Sequence, residues 1–281
     1  MSQAHRNWLV TGCSTGLGRA LAEVLIERGE RVFATARKLE DLTDLVEGHE
    51  NATALQLDVT KPDEIAVAVA AVEAAGGVDV LVNNAGYGLL VAIEEADEDA
   101  YRAQFEANVF GLIAMTRAAL PHMRGRGRGH VVNVSSVGGL IGNPGSGYYA
   151  ATKFAVVGFS EALSKEVGAL GLKVTVVLPG PFRTDWAGRS LQSSGHPIAA
   201  YDETVHARLR QVADSSGKQV GDPVRAAEAI IAAVDSEKPP LRLVLGAPGL
   251  KMARQQLAAI AEELDRWEAV TLGADFPDAG T

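Results

Sequence analysis

Short apolar runs rich in β-branched residues recur at residues 8–11, 31–35, 54–57, 80–82, 131–134 and 174–178, and the stretches between them carry apolar residues at helical spacing. Short apolar strands alternating with stretches of helical periodicity admit few architectures. Enough chain separates successive runs for a helical crossover, so neighbouring strands run parallel and helices cover both faces of their sheet. The predicted fold is α/β, a doubly wound parallel sheet of Rossmann type. In such sheets ligands bind beyond the carboxyl ends of the strands, where strand order reverses. The residues that follow each run are therefore the ones to search for chemistry.

One domain absorbs this pattern. With 281 residues, 47% hydrophobic and 22% charged, the chain fills a single large core. No repeat or Pro/Gly/Ser-rich linker divides it. The core is expected over residues 7–245. The polar segment 185–220 interrupts the rhythm after a strand, as a substrate loop does. A helix near 223–234, a strand near 241–245 and a helical stretch near 251–267 follow. The extension from 246 to 281 is expected to be helical, with a tail from 271 that frays or packs on a neighbour.

A formal net charge of −9 argues against nucleic acid or an anionic membrane as partner. The local basic stretch around Arg124, Arg126 and Arg128 reads as a helix-to-strand loop. Cys13 is the only cysteine, which rules out an internal disulfide or a multi-cysteine metal site, and no metal is expected. The opening residues lack the apolar region of a secretory signal, so the expected compartment is the cytoplasm.

The first run leads into Thr11-Gly12-Cys13-Ser14-Thr15-Gly16-Leu17-Gly18 and then a helix. Glycines at a strand-to-helix turn let backbone approach a pyrophosphate, and the helix start offers N–H groups and a favourable dipole. The second run ends at Arg37 and Lys38, where a carboxylate would bind a ribose 2′-hydroxyl and an arginine a 2′-phosphate. Arg37, helped by Lys38, points to NADP(H). The alternative is NAD(H), with Glu40 or Asp41 turned back to the ribose. Cys13 reads as a packed residue.

Tyr149 and Lys153 sit four apart at the start of a helical stretch that reaches about Gly168, so phenol and ammonium share a face. A nearby cation favours phenolate and is expected to lower the tyrosine pKa. Ser136, after the run 131–134, places a hydroxyl where it can hold a carbonyl oxygen. Asn108 is polar in an apolar helical pattern, as a kink residue or as part of a proton relay.

These motifs together resemble the short-chain dehydrogenase/reductase family from about Asn7 to Leu245, in order and spacing. Asp58, Asn83-Asn84-Ala85-Gly86 and Pro179-Gly180 complete the match. The resemblance implies a catalytic set of Asn108, Ser136, Tyr149 and Lys153. It implies a cofactor site formed by Gly12, Ser14, Thr15, Gly16, Leu17, Gly18, Arg37, Lys38, Asp58, Val59, Asn84, Ala85, Gly86, Tyr149, Lys153, Pro179, Gly180, Phe182 and Thr184. Within that site Asp58 lies near the adenine, Lys153 on the nicotinamide ribose and Thr184 on the carboxamide, while Asn83 stabilises the sheet. Ser136-Val137-Gly138-Gly139 and the long C-terminus look like the hydroxysteroid and retinol dehydrogenase branch. The implied activity is NADP(H)-dependent interconversion of a carbonyl and an alcohol, on a small and moderately hydrophobic substrate, by a homodimer or homotetramer. Tyr87, Leu140, Phe182 and Trp186 are candidates to line the substrate pocket. The competing reading is an NADP(H)-binding sensor or scaffold without turnover.

Overall fold

The computed structural model describes residues 5–184, 196–276 and the backbone of 191–192. In chain order the elements are β1 (Asn7–Val10), α1 (Gly16–Glu27), β2 (Arg31–Ala36), α2 (Thr43–Val46), β3 (Ala52–Gln56), α3 (Pro62–Ala74), β4 (Val80–Asn83), β5 (Gly88–Leu89), α4 (Glu98–Phe105), α5 (Leu112–Arg126), β6 (Gly129–Val134), α6 (Gly147–Val167), β7 (Leu172–Pro179), β8 (Leu191–Gln192), α7 (Ala207–Asp214), α8 (Pro223–Asp235), β9 (Arg242–Leu245) and α9 (Ala247–Leu272). Seven strands form one parallel sheet in the order β3-β2-β1-β4-β6-β7-β9. The doubly wound α/β expectation holds. The order turns at β1, which pairs with β2 on one side and β4 on the other, and this opens a crevice beyond their carboxyl ends.

Strand alternation sorts the core into two layers. Leu9 lies opposite Phe33 and Leu81 and faces α3, α5 and α6 through Val69, Met115, Ala119 and Leu163. Trp8 and Val10 face the other way, against Leu21 and Leu25 of α1 and Ile230 and Ile231 of α8. Both layers bury their apolar side chains almost completely, which is the main force holding helices to sheet. A polar chain crosses the layer that holds α5 and α6: Asn83 Nδ2 donates to Thr116 Oγ1 (3.0 Å) and Asn133 Oδ1 (2.9 Å), and Asn133 Nδ2 donates to Ser160 Oγ (2.9 Å). All four residues are buried, so these bonds fix how α5 and α6 sit on the ends of β4 and β6.

Three local expectations are corrected. The basic stretch is a loop only in part, because α5 runs on to Arg126 and Gly127 closes it at φ +64°. Arg126 ends the helix by pairing with Glu73 and donating to the Val78 carbonyl (2.9 Å), contacts distant in sequence. Segment 185–220 is not irregular throughout: a π-helical turn over Asp202–His206 leads into α7, and β8 pairs in parallel with β5. The C-terminal helix is longer at both ends than the predicted 251–267. Trp186 and residues 277–281 lie outside the described residues.

Candidate active site

The site is assembled where β1, β4, β6 and β7 end. Thr11 joins the first two: its Oγ1 accepts the Asn84 and Ala85 N–H groups (2.9 Å each) and lies 3.3 Å from the Val82 carbonyl. Asn84 Nδ2 returns bonds to the Thr11 and Gly12 carbonyls (2.9 Å each). The glycine turn is thereby tied to the loop after β4. A Cβ on Gly18 would fall 2.3 Å from Asn84 Nδ2 and 2.4 Å from the Gly12 oxygen. One on Gly12, at φ +73°, would fall 2.9 Å from Ala85 Cα. Only glycine fits either position.

Gly16 opens α1 at φ +68°, and no side chain caps the helix start. Thr184, beyond β7, approaches the same turn, 3.9 Å from where a Gly16 Cβ would stand. Ser14, Thr15, Gly16, Asn84, Ala85, Tyr149 and Thr184 are all partly accessible, forming a cleft wall between core and surface. A backbone cradle with an uncapped helix N-terminus fits a pyrophosphate. Arg37 and Lys38 follow β2 and are exposed, and Glu40 and Asp41 lie further on in a short 3₁₀ turn, Leu39–Leu42. The Arg37 charge favours the ionised forms of both Asp58 and Tyr87.

Several expected cofactor residues serve the scaffold. Leu17 packs against the core layer of Trp8 and Val10, and so does Phe182, which also faces Gly221. Val59 packs against Gly111. Pro179 ends β7, and Gly180 lets the start of α9 approach, since a Cβ there would lie 2.8 Å from the Gly249 nitrogen. The Asp58 carboxylate is held by Thr60 through its N–H (3.0 Å) and hydroxyl (2.7 Å), which keeps it ionised. Cys13 is buried, burial pushes its thiol up to about 12, and it is inert, as the packed-residue reading requires.

The four expected catalytic residues converge. Ser136 follows β6, and its Oγ accepts the Gly138 N–H (3.0 Å). Tyr149 lies near the start of α6 with its hydroxyl hydrogen-bonded to Ser136. Lys153 is one turn further, its Nζ 5.6 Å from the centroid of the Tyr149 ring and 3.1 Å from the Val134 carbonyl it donates to. Ser135 holds α6 in this register by donating to the Lys153 carbonyl (2.9 Å). Asn108 is buried in a π-helical turn, Glu106–Gly111, and clamps the backbone of Tyr87: Oδ1 accepts its N–H (2.9 Å) and Nδ2 donates to its carbonyl (2.8 Å). Nδ2 also reaches Thr152 Oγ1 (3.2 Å), so the amide is committed to positioning. Gly86 lies between Asn108 and Lys153, since a Cβ there would be 2.8 Å from Asn108 Oδ1 and 3.8 Å from Lys153 Nζ.

The electrostatics correct one expectation. Burial dominates both groups, raising Tyr149 to about 12 and lowering Lys153 to about 8, and the bond from Ser136 offsets only part of the tyrosine's rise. In the free protein Lys153 therefore does not bring the phenol below its ordinary value. Tyr149 stays protonated at neutral pH.

Two features were not read from the sequence. Thr11, noted only as part of the glycine turn, is the knot between β1 and β4. Glu95, almost fully buried, holds the segment before α7: it accepts the Ile198 N–H (2.6 Å) and bonds His206 Nε2 (2.9 Å), whose Nδ1 lies 2.7 Å from Asp202. The acidic run 94–95 and a histidine with an aspartate four residues before it were the available signals.

This geometry is that of a known family. Residues 6–194 match the family described as short chain dehydrogenase. Oxidoreductase BOA17 from Botryotinia fuckeliana is 40% identical over 272 residues, 95% of this chain and 98% of its own length. Human retinol dehydrogenase 8 is 36% identical over 256 residues, 86% of this chain and 82% of its own. Among solved structures, a short-chain dehydrogenase from Streptomyces avermitilis is 45% identical with a TM-score of 0.91, covering 97% of this chain and 100% of that one. Another, from Burkholderia cenocepacia in complex with NADP, is 27% identical with a TM-score of 0.73, covering 93% and 97%. The chain belongs to the short-chain dehydrogenase family, and its class of activity is that of an oxidoreductase.

Proposed function

We propose that this protein interconverts a carbonyl and a primary or secondary alcohol with NADP(H), on a moderately hydrophobic substrate. The observation that carries the reading is the meeting of Ser136, Tyr149 and Lys153 beside the glycine cradle. When bound, the nicotinamide supplies the hydride for reduction or accepts it for oxidation. Gly12, Gly16 and Gly18 with the start of α1 hold the pyrophosphate, Asp58 faces the adenine, Thr184 faces the carboxamide, and Arg37 with Lys38 takes the 2′-phosphate.

A substrate oxygen that replaces the mutual bond of Ser136 and Tyr149 meets two hydroxyl donors at once. Tyr149, protonated at neutral pH, gives its proton to that oxygen. Lys153, an ammonium below about pH 8, stabilises the phenolate left behind and contacts the ribose. Asn108 keeps the wall at Tyr87 in place, and water beside Gly86 returns the proton through Lys153. The NADP complex of the Burkholderia cenocepacia relative supports the cofactor, and retinol dehydrogenase 8 supports an apolar substrate. Tyr87, Leu140 and Phe182 are each partly accessible and supply apolar surface for such a substrate, although Phe182 and Leu140 also pack against the core.

The test is Tyr149→Phe, assayed with NADPH over a panel of aldehydes and ketones. Turnover of an accepted carbonyl is expected to fall by about 100-fold or more, with NADPH affinity changed only a few-fold. Turnover near the wild-type rate would sink the assignment.

A further inference from the structure

Helix α9 leaves the body of the protein after its first two turns. Gly249 and Ala253 are buried, whereas every residue from Leu257 to Leu272 is exposed, a projection of about 24 Å at 1.5 Å per residue. A lone helix of this length is marginal in water. Its apolar residues are also not scattered: Leu250, Ala253, Leu257, Ile260, Leu264 and Trp267 alternate at spacings of three and four, the heptad pattern of a helix-pairing seam. Leu257 is 61%, Leu264 64% and Trp267 55% exposed, so none of the described residues covers the seam from Leu257 onward.

We infer that α9 pairs antiparallel with α9 of a second copy of this chain. Charge decides the orientation. The helix begins basic, with Lys251 and Arg254, and ends acidic, with Glu262, Glu263, Asp265 and Glu268 against the single Arg266. Antiparallel pairing sets Leu257 on Trp267 of the second copy and Ile260 on its Leu264. Arg254 then stands opposite Glu268 at both ends, and Glu263 is the only charged residue that meets its own copy. Parallel pairing would set Glu263 against Glu268 on both sides of the seam. The same carboxylates disfavour an anionic bilayer as the covering surface. This inference stands apart from the catalytic reading.

Sedimentation of the full chain tests it. Leu264→Glu is expected to weaken self-association at least ten-fold without moving the unfolding midpoint of the dilute monomer, because in a single copy the side chain is exposed. Arg254→Glu is expected to weaken it, and Arg254→Glu with Glu268→Arg to restore it. Antiparallel pairing brings Ala261 opposite its own copy, so Ala261→Cys should give a disulfide-linked dimer under mild oxidation, against a background in which Cys13 is buried. Self-association unchanged by Leu264→Glu would overturn the inference, as would a double charge swap that fails to restore pairing. So would a monomer whose Leu264→Glu variant loses only binding to phosphatidylcholine vesicles.

Discussion

Lys153 is a charge the fold holds against its own stability, and Lys153→Met exposes this. The ammonium is buried and donates to the Val134 carbonyl, and burial lowers its pKa from the ordinary 10.5 to about 8. That gap corresponds to roughly 3 kcal/mol against the protonated native state. Below about pH 8 native and unfolded chains both carry the proton, so the full penalty applies. Between about 8 and 10.5 the unfolded chain holds a proton that the native one has released, and the native state gains stability as pH rises. Methionine keeps an unbranched stem and does not titrate. At pH 7 the variant should be the more stable, by roughly 1–3 kcal/mol once loss of the bond to Val134 is set against the relieved charge. Urea unfolding of both proteins from pH 7 to pH 10 should show that advantage shrinking as wild type gains on the variant. Turnover should be lost throughout. A stability difference that stays flat over this range would refute the depressed lysine and the proton chain built on it.

Further outcomes follow from the same geometry. Arg37→Asp should reduce the preference for NADPH over NADH by about 100-fold, from a lost charge-assisted bond and added repulsion; titration calorimetry with both cofactors checks it, and equal weakening of both would remove Arg37 from the 2′-phosphate. Gly18→Ala forces a Cβ into Asn84 and the Gly12 carbonyl, so it should destabilise by roughly 1–3 kcal/mol and raise the NADPH dissociation constant more than ten-fold; unchanged binding would show that the turn is not the cradle. His206 is bonded by carboxylates on both ring nitrogens, which raise its pKa. The stability it adds is full below the ordinary histidine range and lost as pH rises through the raised value. Hydrogen exchange over residues 198–214 should therefore speed up with pH in wild type beyond its intrinsic dependence and lose that excess in His206→Gln, and identical profiles would dismiss the latch.

The sequence disclosed what lies at strand ends and what repeats. Short continuous apolar runs set against helical periodicity carried the sheet, because central strands such as β1 and β4 are buried on both faces and lose their alternation. Gly12, Gly16 and Gly18, together with Ser136, Tyr149 and Lys153, were legible because each sits at a strand-to-helix boundary or at i,i+4 on one helix, where local spacing and spatial proximity coincide. Features made by distant partners were not. Arg126 looked like part of a loop because Glu73 and Val78, which make it the end of α5, lie some 50 residues earlier.

The tyrosine pKa shows the same limit in energetic form. Helical spacing says that a cation stands near Tyr149, but whether the cation or burial decides the phenol's protonation depends on how far each is from water. Here burial outweighs the neighbouring cation, Lys153 donates to the Val134 carbonyl, and the phenol is held up at about 12. A phenol in that state is protonated at neutral pH and available as a donor, though a weaker acid than a free tyrosine. Oxidation of an alcohol would need a further positive charge beside the ring before Tyr149 could serve as base. A positive charge brought into the cradle would lower the phenol's pKa, a dependence that spacing alone does not reveal.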